Sequence, residues 1–236
     1  MTLRESEFDH FAVRYENLNK TFRRGDREIC VLKDACGEIQ PGEFVAIRGR
    51  SGSGKSTLLN LTAGIDEPTS GNVYIQGRSL ATLNRRQRAQ IRREQIGLVF
   101  QFFNLIPTLK VLENVTLPAE LAGKGAREAN QRARQLLARM GMQDREDDFP
   151  DRLSGGEQQR VAIARALIMR PAIVLADEPS GNLDPKTGEE VMSLLQELQD
   201  EQGSSLLMVT HSHQLAERAD RILTIRDGLL IEESQA

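Results

Sequence analysis

Apolar residues recur along this chain in two rhythms. Residues 43–48 (Glu-Phe-Val-Ala-Ile-Arg) and 173–177 (Ile-Val-Leu-Ala-Asp) are short apolar runs, the pattern of strands buried on both faces. Shorter β-like runs at 12–15, 29–32, 72–76, 96–100 and 206–210 read as further strands. Helical spacing takes over at 56–63, which is rich in Leu, and across 111–140, where Gly123 and Gly125 break the pattern and Leu136, Leu137 and Met140 share a face. Residues 186–202 place Val191, Leu194, Leu195 and Leu198 on one side of a helix, and 212–219 reads as a short one. Turn signals fall at Gln40-Pro41-Gly42 and Ser70-Gly71, and Asp227-Gly228 joins 221–225 to 229–232 as a hairpin. Strands alternating with helices predict an α/β fold with a largely parallel sheet covered on both faces. Residues 84–160 read as a mostly helical insert within a single domain spanning 1–236.

Composition narrows the class. A chain of 236 residues with 39% apolar side chains can bury the core of one large domain. A net charge of −3 gives no global pull toward nucleic acid or an anionic bilayer. No apolar run approaches the ~18 residues of a membrane span. Residues 1–10 are polar and acidic, unlike a secretion signal, so the chain is expected in the cytoplasm, reaching a membrane only by docking. Cys30 and Cys36 have no His or Cys cluster around them and are expected to be ordinary strand or core residues in a reducing compartment. Arg85, Arg86, Arg88, Arg92 and Arg93 lack interleaved aromatics, which favours a solvated helix face over a nucleic-acid surface.

Candidate chemistry begins directly after the strand at 43–48. Gly49-Arg50-Ser51-Gly52-Ser53-Gly54-Lys55-Ser56, continued by Thr57, has the spacing of a phosphate-binding loop set between a strand and a helix. Its glycines let backbone N–H groups turn inward, and the helix start adds its own donors and the positive end of its dipole. Lys55 can reach the β- and γ-phosphates of ATP, and the Ser56 hydroxyl can ligate Mg²⁺. The run 173–177 then ends in Asp177-Glu178. Beside a phosphate loop, Asp177 can hold the hydration shell of Mg²⁺ and Glu178 can act as general base on the attacking water.

Leu153-Ser154-Gly155-Gly156-Glu157-Gln158-Gln159-Arg160 presents donors at another helix start. A serine N-cap on a glycine-rich loop has the same look, but does not account for a position between the phosphate loop and the acidic strand. The segment resembles the signature motif of ATP-binding-cassette (ABC) ATPases, and the resemblance covers about 13–232, with the motifs in the family's order. It implies a P-loop NTPase fold of the ABC type: a parallel core sheet, an N-terminal antiparallel β subdomain and a helical subdomain. It also implies a head-to-tail homodimer in which Ser154, Gly155, Gly156, Gln158 and Asp184 complete the ATP site of the other copy. Phe22 falls where the family stacks an aromatic on adenine. Gln101 matches the glutamine that touches Mg²⁺ and attacking water, and His211 the switch histidine at the γ-phosphate. His10 and His213 have no such match.

Three stretches bring the resemblance nearest to the lipoprotein-releasing and macrolide-exporting ATPases: residues 101–109, Leu112-Glu113-Asn114-Val115, and residues 176–184. Ser180 stands where that group usually has Thr, which keeps the hydroxyl. Cys36-Gly37 replaces more β-prone residues and predicts a weakened strand. With the hairpin at 221–232 so near residue 236, the C-terminal regulatory domain of many importer ATPases is not expected. By resemblance the chain is a peripheral ATPase on the cytoplasmic face of the inner or plasma membrane, with no nucleic-acid partner. It would drive a separate integral membrane permease for export or mechanical extraction of a lipophilic or lipoprotein-type substrate. The permease would dock near residues 101–108, where Phe102, Phe103, Leu105 and Ile106 are either the docking surface or core. A signalling ATPase of the cell-division type and an importer subunit stand as alternatives.

Overall fold

Phe44, Val45, Ala46 and Ile47 are all buried, and the strand they form has a parallel neighbour on each side. In the computed structural model, residues 11–25 and 27–233 are described. The polar stretch 1–10, with its expected lack of a secretion signal and with His10, lies outside them. The elements run β1 (Val13–Arg24), β2 (Arg27–Ile39), β3 (Phe44–Arg48), α1 (Lys55–Thr62), β4 (Ser70–Ile75), β5 (Arg78–Ser79) and α2 (Arg85–Gln95). They continue with β6 (Ile96–Phe100), α3 (Val111–Leu121), α4 (Ala126–Arg139), α5 (Gly155–Leu167), β7 (Ile173–Asp177) and α6 (Pro185–Gln202). The last are β8 (Ser205–Val209), α7 (His213–Ala216), β9 (Arg221–Arg226) and β10 (Leu229–Glu232). None of the described helices is long and apolar enough to cross a membrane.

Two compact units result, 1–89 with 205–236, and 90–204. In the first, β2-β1-β4-β5 form an antiparallel sheet. Beside it, β3 pairs in parallel with β8 and β9, and β9 pairs antiparallel with β10 through the expected hairpin. Asp227 (φ 52°) and Gly228 (φ 82°) both have the positive φ that a two-residue hairpin turn demands. The Tyr15 hydroxyl donates to Thr62 Oγ1 at 2.8 Å, while Thr62 Oγ1 donates to Leu58 O. Burial pushes the Tyr15 pKa up, which keeps this donor protonated as it ties α1 to the antiparallel sheet.

The first strands are much longer than the apolar runs at 12–15 and 29–32 suggest. Residues 16–24 are mostly polar, and the β1–β2 pairing absorbs irregularities between Tyr15 and Thr21, with Asn17 at φ 44°. Such bulges scramble the alternation that sequence reading relies on. β2 runs on through Cys36 and Gly37, but its pairing with β1 is irregular between Ala35 and Gly37. Cys36 Sγ accepts from the Asn17 amide at 3.3 Å within the irregular stretch, and a Cβ on Gly37 would sit 3.2 Å from Leu230 Cδ2. The small residue makes room for β10. Both cysteines are strand residues as expected, yet both are exposed rather than core.

In the second unit β6 and β7 pair in parallel, with Phe100 opposite Asp177. The expected helical run 111–140 is two helices, divided at Gly123, whose φ of 74° ends the first. Val111 and Val115 of α3, Ala133 and Leu137 of α4, and Val161 and Ile163 of α5 are fully buried and make the core of this unit. The arginine helix α2 is only partly a solvated face. Arg85 and Arg86 are exposed, but Arg88 pairs with Glu67 at 2.5 Å. Arg92 and Arg93 are half-buried and line a groove with Ile96, Phe100, Pro118 and Met169.

Candidate active site

The phosphate loop, Phe22 and His211 belong to the first unit. The loop leaves β3 at Gly49, among the carboxyl ends of parallel strands, where open α/β sheets place their ligands. Gly54 caps α1 at φ 106° and, having no side chain, leaves the first-turn N–H groups without a side-chain cap. A Cβ there would lie 2.6 Å from Val31 Cγ1, and one on Gly49 would lie 2.6 Å from Ser53 Oγ. Both positions therefore require glycine. Lys55 is buried, and its Nζ donates to Gly49 O at 2.9 Å and Arg50 O at 3.0 Å, which holds the ammonium across the loop. Ser53 Oγ is buried without a hydrogen-bond partner. An uncapped helix start, a lysine ammonium and an orphaned hydroxyl converge on one loop, and that set suits a phosphate chain.

Beside the loop lies a cleft of about 630 Å³, lined by residues 49–53, by Ile29, Cys30 and Val31 of β2, and by Thr224–Gly228 of the last hairpin. Phe22 pairs directly across from Ile29, and its ring is 41% exposed. The Lys20 ammonium sits 4.8 Å from the ring centroid and also donates to Asp66 Oδ1 and Glu67 O. One side of the ring thus has a cation in place. Ile47 of β3 and Val209 of β8 are register partners, so Gly49 and His211 each follow two residues beyond a shared rung. His213, set aside at the sequence level, lies 2.7 Å from an Arg48 guanidinium nitrogen through Nδ1.

Gln101, Ser154, Gly155, Gly156, Gln158, Asp177, Glu178 and Asp184 belong to the second unit. The Phe100–Asp177 register brings Gln101 and Glu178 to neighbouring strand ends. Glu178 has φ 48°, a left-handed conformation that non-glycine residues adopt at a cost and that clusters at functional sites. The turn after it closes through the Gly181 amide donating to Glu178 O at 2.9 Å. Asn182, in this turn, donates from Nδ2 to Gln101 O at 2.8 Å.

Ser154 caps α5 in a full capping box: its amide donates to Glu157 Oε2 at 2.8 Å, and its Oγ accepts from the Glu157 amide at 3.4 Å. The Ser154 amide first, then its hydroxyl, hold the Glu157 carboxyl below the ordinary range. Gly156 faces Thr187, where a Cβ would lie 2.5 Å from Cγ2. Gln158 donates to Leu153 O at 3.1 Å. Asp184 caps α6 by accepting from the Thr187 amide at 3.1 Å, and its carboxyl is held low by Thr187, side chain first and then backbone. The structure therefore gives Ser154 and Asp184 local capping roles alongside any role toward a second copy.

The segment after Gln101 is built around two side chains to which the sequence reading gave no role, although Asn114 stands in the quoted stretch 112–115. The half-buried Arg165 donates to Phe103 O at 2.8 Å and Asn104 O at 2.6 Å, and burial lowers its pKa. Asn114, fully buried, accepts from the Ile106 amide and donates to the carbonyls of Ile106, Leu109 and Lys110. Phe102 is 70% exposed and Ile106 is also exposed, whereas Phe103 and Leu105 are half-buried. Val31, Asn182 and Gln159 were likewise given no role, although Asn182 and Gln159 stand inside the quoted motifs. Only Gln159 left a signal, as a polar residue in line with the apolar Ala162, Ile163 and Ala166 of α5.

The family model described as ABC transporter matches residues 32–181. The chain is 55% identical, over 93% of its length and 88% of the relative's, to an uncharacterized ABC transporter ATP-binding protein of Mycobacterium tuberculosis. It is 44% identical to the lipoprotein-releasing system ATP-binding protein LolD of Idiomarina loihiensis, covering 94% of this chain and 97% of that one. It is 46% identical to the macrolide export ATP-binding/permease protein MacB of Syntrophobacter fumaroxidans over 95% of its own length, but spans only 32% of MacB. A solved dimeric structure of a post-hydrolysis state of the ATP-binding cassette MJ0796, bound to ADP and Pi, superposes with a TM-score of 0.86. That chain is 44% identical, and the match covers 94% of this chain and 98% of it. The chain belongs to the ABC transporter family. Within it, this is an ATP-binding cassette ATPase with the fold that the signature motif implied, similar to the LolD and MacB cassettes.

Proposed function

We propose that this chain is the nucleotide-binding subunit of a transporter, a single domain over 1–236 with a helical subdomain near 84–160. It hydrolyses ATP as a head-to-tail dimer and passes the closing motion to a separate membrane permease at the cytoplasmic face of the membrane. The observation that carries the reading is the phosphate loop itself, with Lys55 bonded to Gly49 O and Arg50 O and the buried Ser53 Oγ left for a ligand. Residues 49–57 take the phosphates, Phe22 stacks on the base, and His211 and Gln101 meet the γ-phosphate end. Ser56, Asp177 and Gln101 hold Mg²⁺, a cation that proteins bind through one or two carboxylates plus substrate phosphates. When bound, it neutralises charge that develops on the phosphoryl oxygens. Glu178 takes the proton of the attacking water. Ser154, Gly155, Gly156, Gln158 and Asp184 of one copy complete the site of the other.

The likeness to LolD and MacB supports export or extraction of a lipophilic or lipoprotein-type substrate. The exposed Phe102 and Ile106 supply the surface for the permease. Replacing Glu178 with Gln tests the core of the reading. Nucleotide binding persists, turnover stops and an ATP-bound dimer accumulates on gel filtration. Hydrolysis at the wild-type rate would remove Glu178 as the base.

A further inference from the structure

Gln159 lies on α5 and is fully buried. Its Nε2 donates to Pro179 O at 2.6 Å and lies within hydrogen-bond reach of Phe100 O at 3.4 Å. Pro179 directly follows Glu178, and Phe100 directly precedes Gln101. One side-chain amide thus spans the two strand ends that carry both groups. Its other atom, Oε1, is also buried and has no hydrogen-bond partner. A position that needed only packing would carry an apolar side chain, as Val161, Ala162 and Ile163 do on the same helix. What the amide holds is the turn at Glu178, whose φ of 48° persists only if the surroundings fix it.

We infer that Gln159 is a positioning residue for ATP hydrolysis: it fixes the Pro179 and Phe100 carbonyls so that Glu178 and Gln101 keep their mutual register. The inference rests on the reading of Glu178 as the general base. It assigns Gln159 no contact with the nucleotide.

The test compares Gln159→Met, which keeps side-chain length and removes the amide, with Gln199→Met as a matched control. Gln199 is also fully buried in this unit, and its Nε2 donates to Ser204 O just past the C-terminal end of α6, whereas the site residues 178–184 precede its N-terminus. Glu178→Gln is assayed in parallel for fluorescent-nucleotide affinity, steady-state hydrolysis and melting temperature. Gln159→Met is expected to lower kcat by about 10- to 100-fold, the scale of an ångström's misplacement at a reacting centre, with KM and nucleotide affinity near wild type. Gln199→Met lowers the melting temperature and keeps kcat. A wild-type kcat in Gln159→Met, or an equal loss of kcat in both methionine variants, overturns the inference while a silent Glu178→Gln leaves the base assignment standing. Hydrolysis by Glu178→Gln overturns both. Should Gln159→Met not fold, Gln159→Asn keeps the amide one methylene short of both carbonyls. A loss of kcat there supports the inference, and full kcat overturns it.

Discussion

Gln101 and Asn182 clasp each other: Asn182 Nδ2 donates to Gln101 O at 2.8 Å, and Gln101 Nε2 reaches Asn182 Oδ1 at 3.4 Å. The pair joins the segment that leaves β6 to the turn that follows Glu178. Replacing Asn182 with Ala frees Gln101 without touching the phosphate loop. A fall in kcat of about threefold to tenfold is expected, matching the ~0.5–1.5 kcal/mol net worth of a hydrogen bond, with KM unchanged in steady-state assays. A raised KM at constant kcat would show that Gln101 is not held by this contact.

Gly54 meets two constraints at once, a φ of 106° and the 2.6 Å approach of Val31 Cγ1 to any added Cβ. Gly54→Ala should cost about 1–3 kcal/mol in urea unfolding and weaken nucleotide binding more than tenfold. Adding Val31→Ala removes the Cγ1 collision but leaves the backbone strain and the 3.2 Å approach to Val31 O, so it restores only part of the loss. Full restoration would mean that the side-chain collision alone required glycine.

Glu157 sits in the first turn of α5 with its carboxyl held below the ordinary range, first by the Ser154 amide. A carboxylate whose folded pKa is depressed stabilises above its unfolded value and loses that effect as pH falls through the folded one. The stability gap between wild type and Glu157→Gln should therefore be widest near pH 7. It should close as pH drops below about 4.3. Denaturant titrations at both ends of that range check it, and a gap that widens in acid would contradict the capping geometry.

Phe102 is 70% exposed beside a loop pinned from below by Arg165 and Asn114. Phe102→Asp should leave hydrolysis by the isolated protein unchanged and abolish co-purification with the proposed membrane permease. Retained co-purification would move the docking surface elsewhere.

The chemistry of this protein was written locally, and so was legible. The phosphate loop needs glycines at fixed offsets and Lys55-Ser56 at a helix start, all within one short segment. The hairpin at Asp227-Gly228 and the buried runs of β3 and β7 follow from equally local rules. The polar halves of β1 and β2 were not legible, because bulges near Asn17 break the period-two pattern. Nor was the exposure of Cys30 and Cys36, since which face of a strand is buried depends on what packs against it.

The sequence alone thus determined which residues make up the phosphate-loop motif, and in what order the motifs run. Only the tertiary structure decided what holds them. Gln159 reaches Pro179 O from 20 residues away, Asn182 reaches Gln101 from 81, and Arg165 reaches Phe103 O from 62. Contacts over such separations leave no periodicity behind. A backbone carbonyl is the same acceptor in every residue, so nothing in the partner's identity announces the bond.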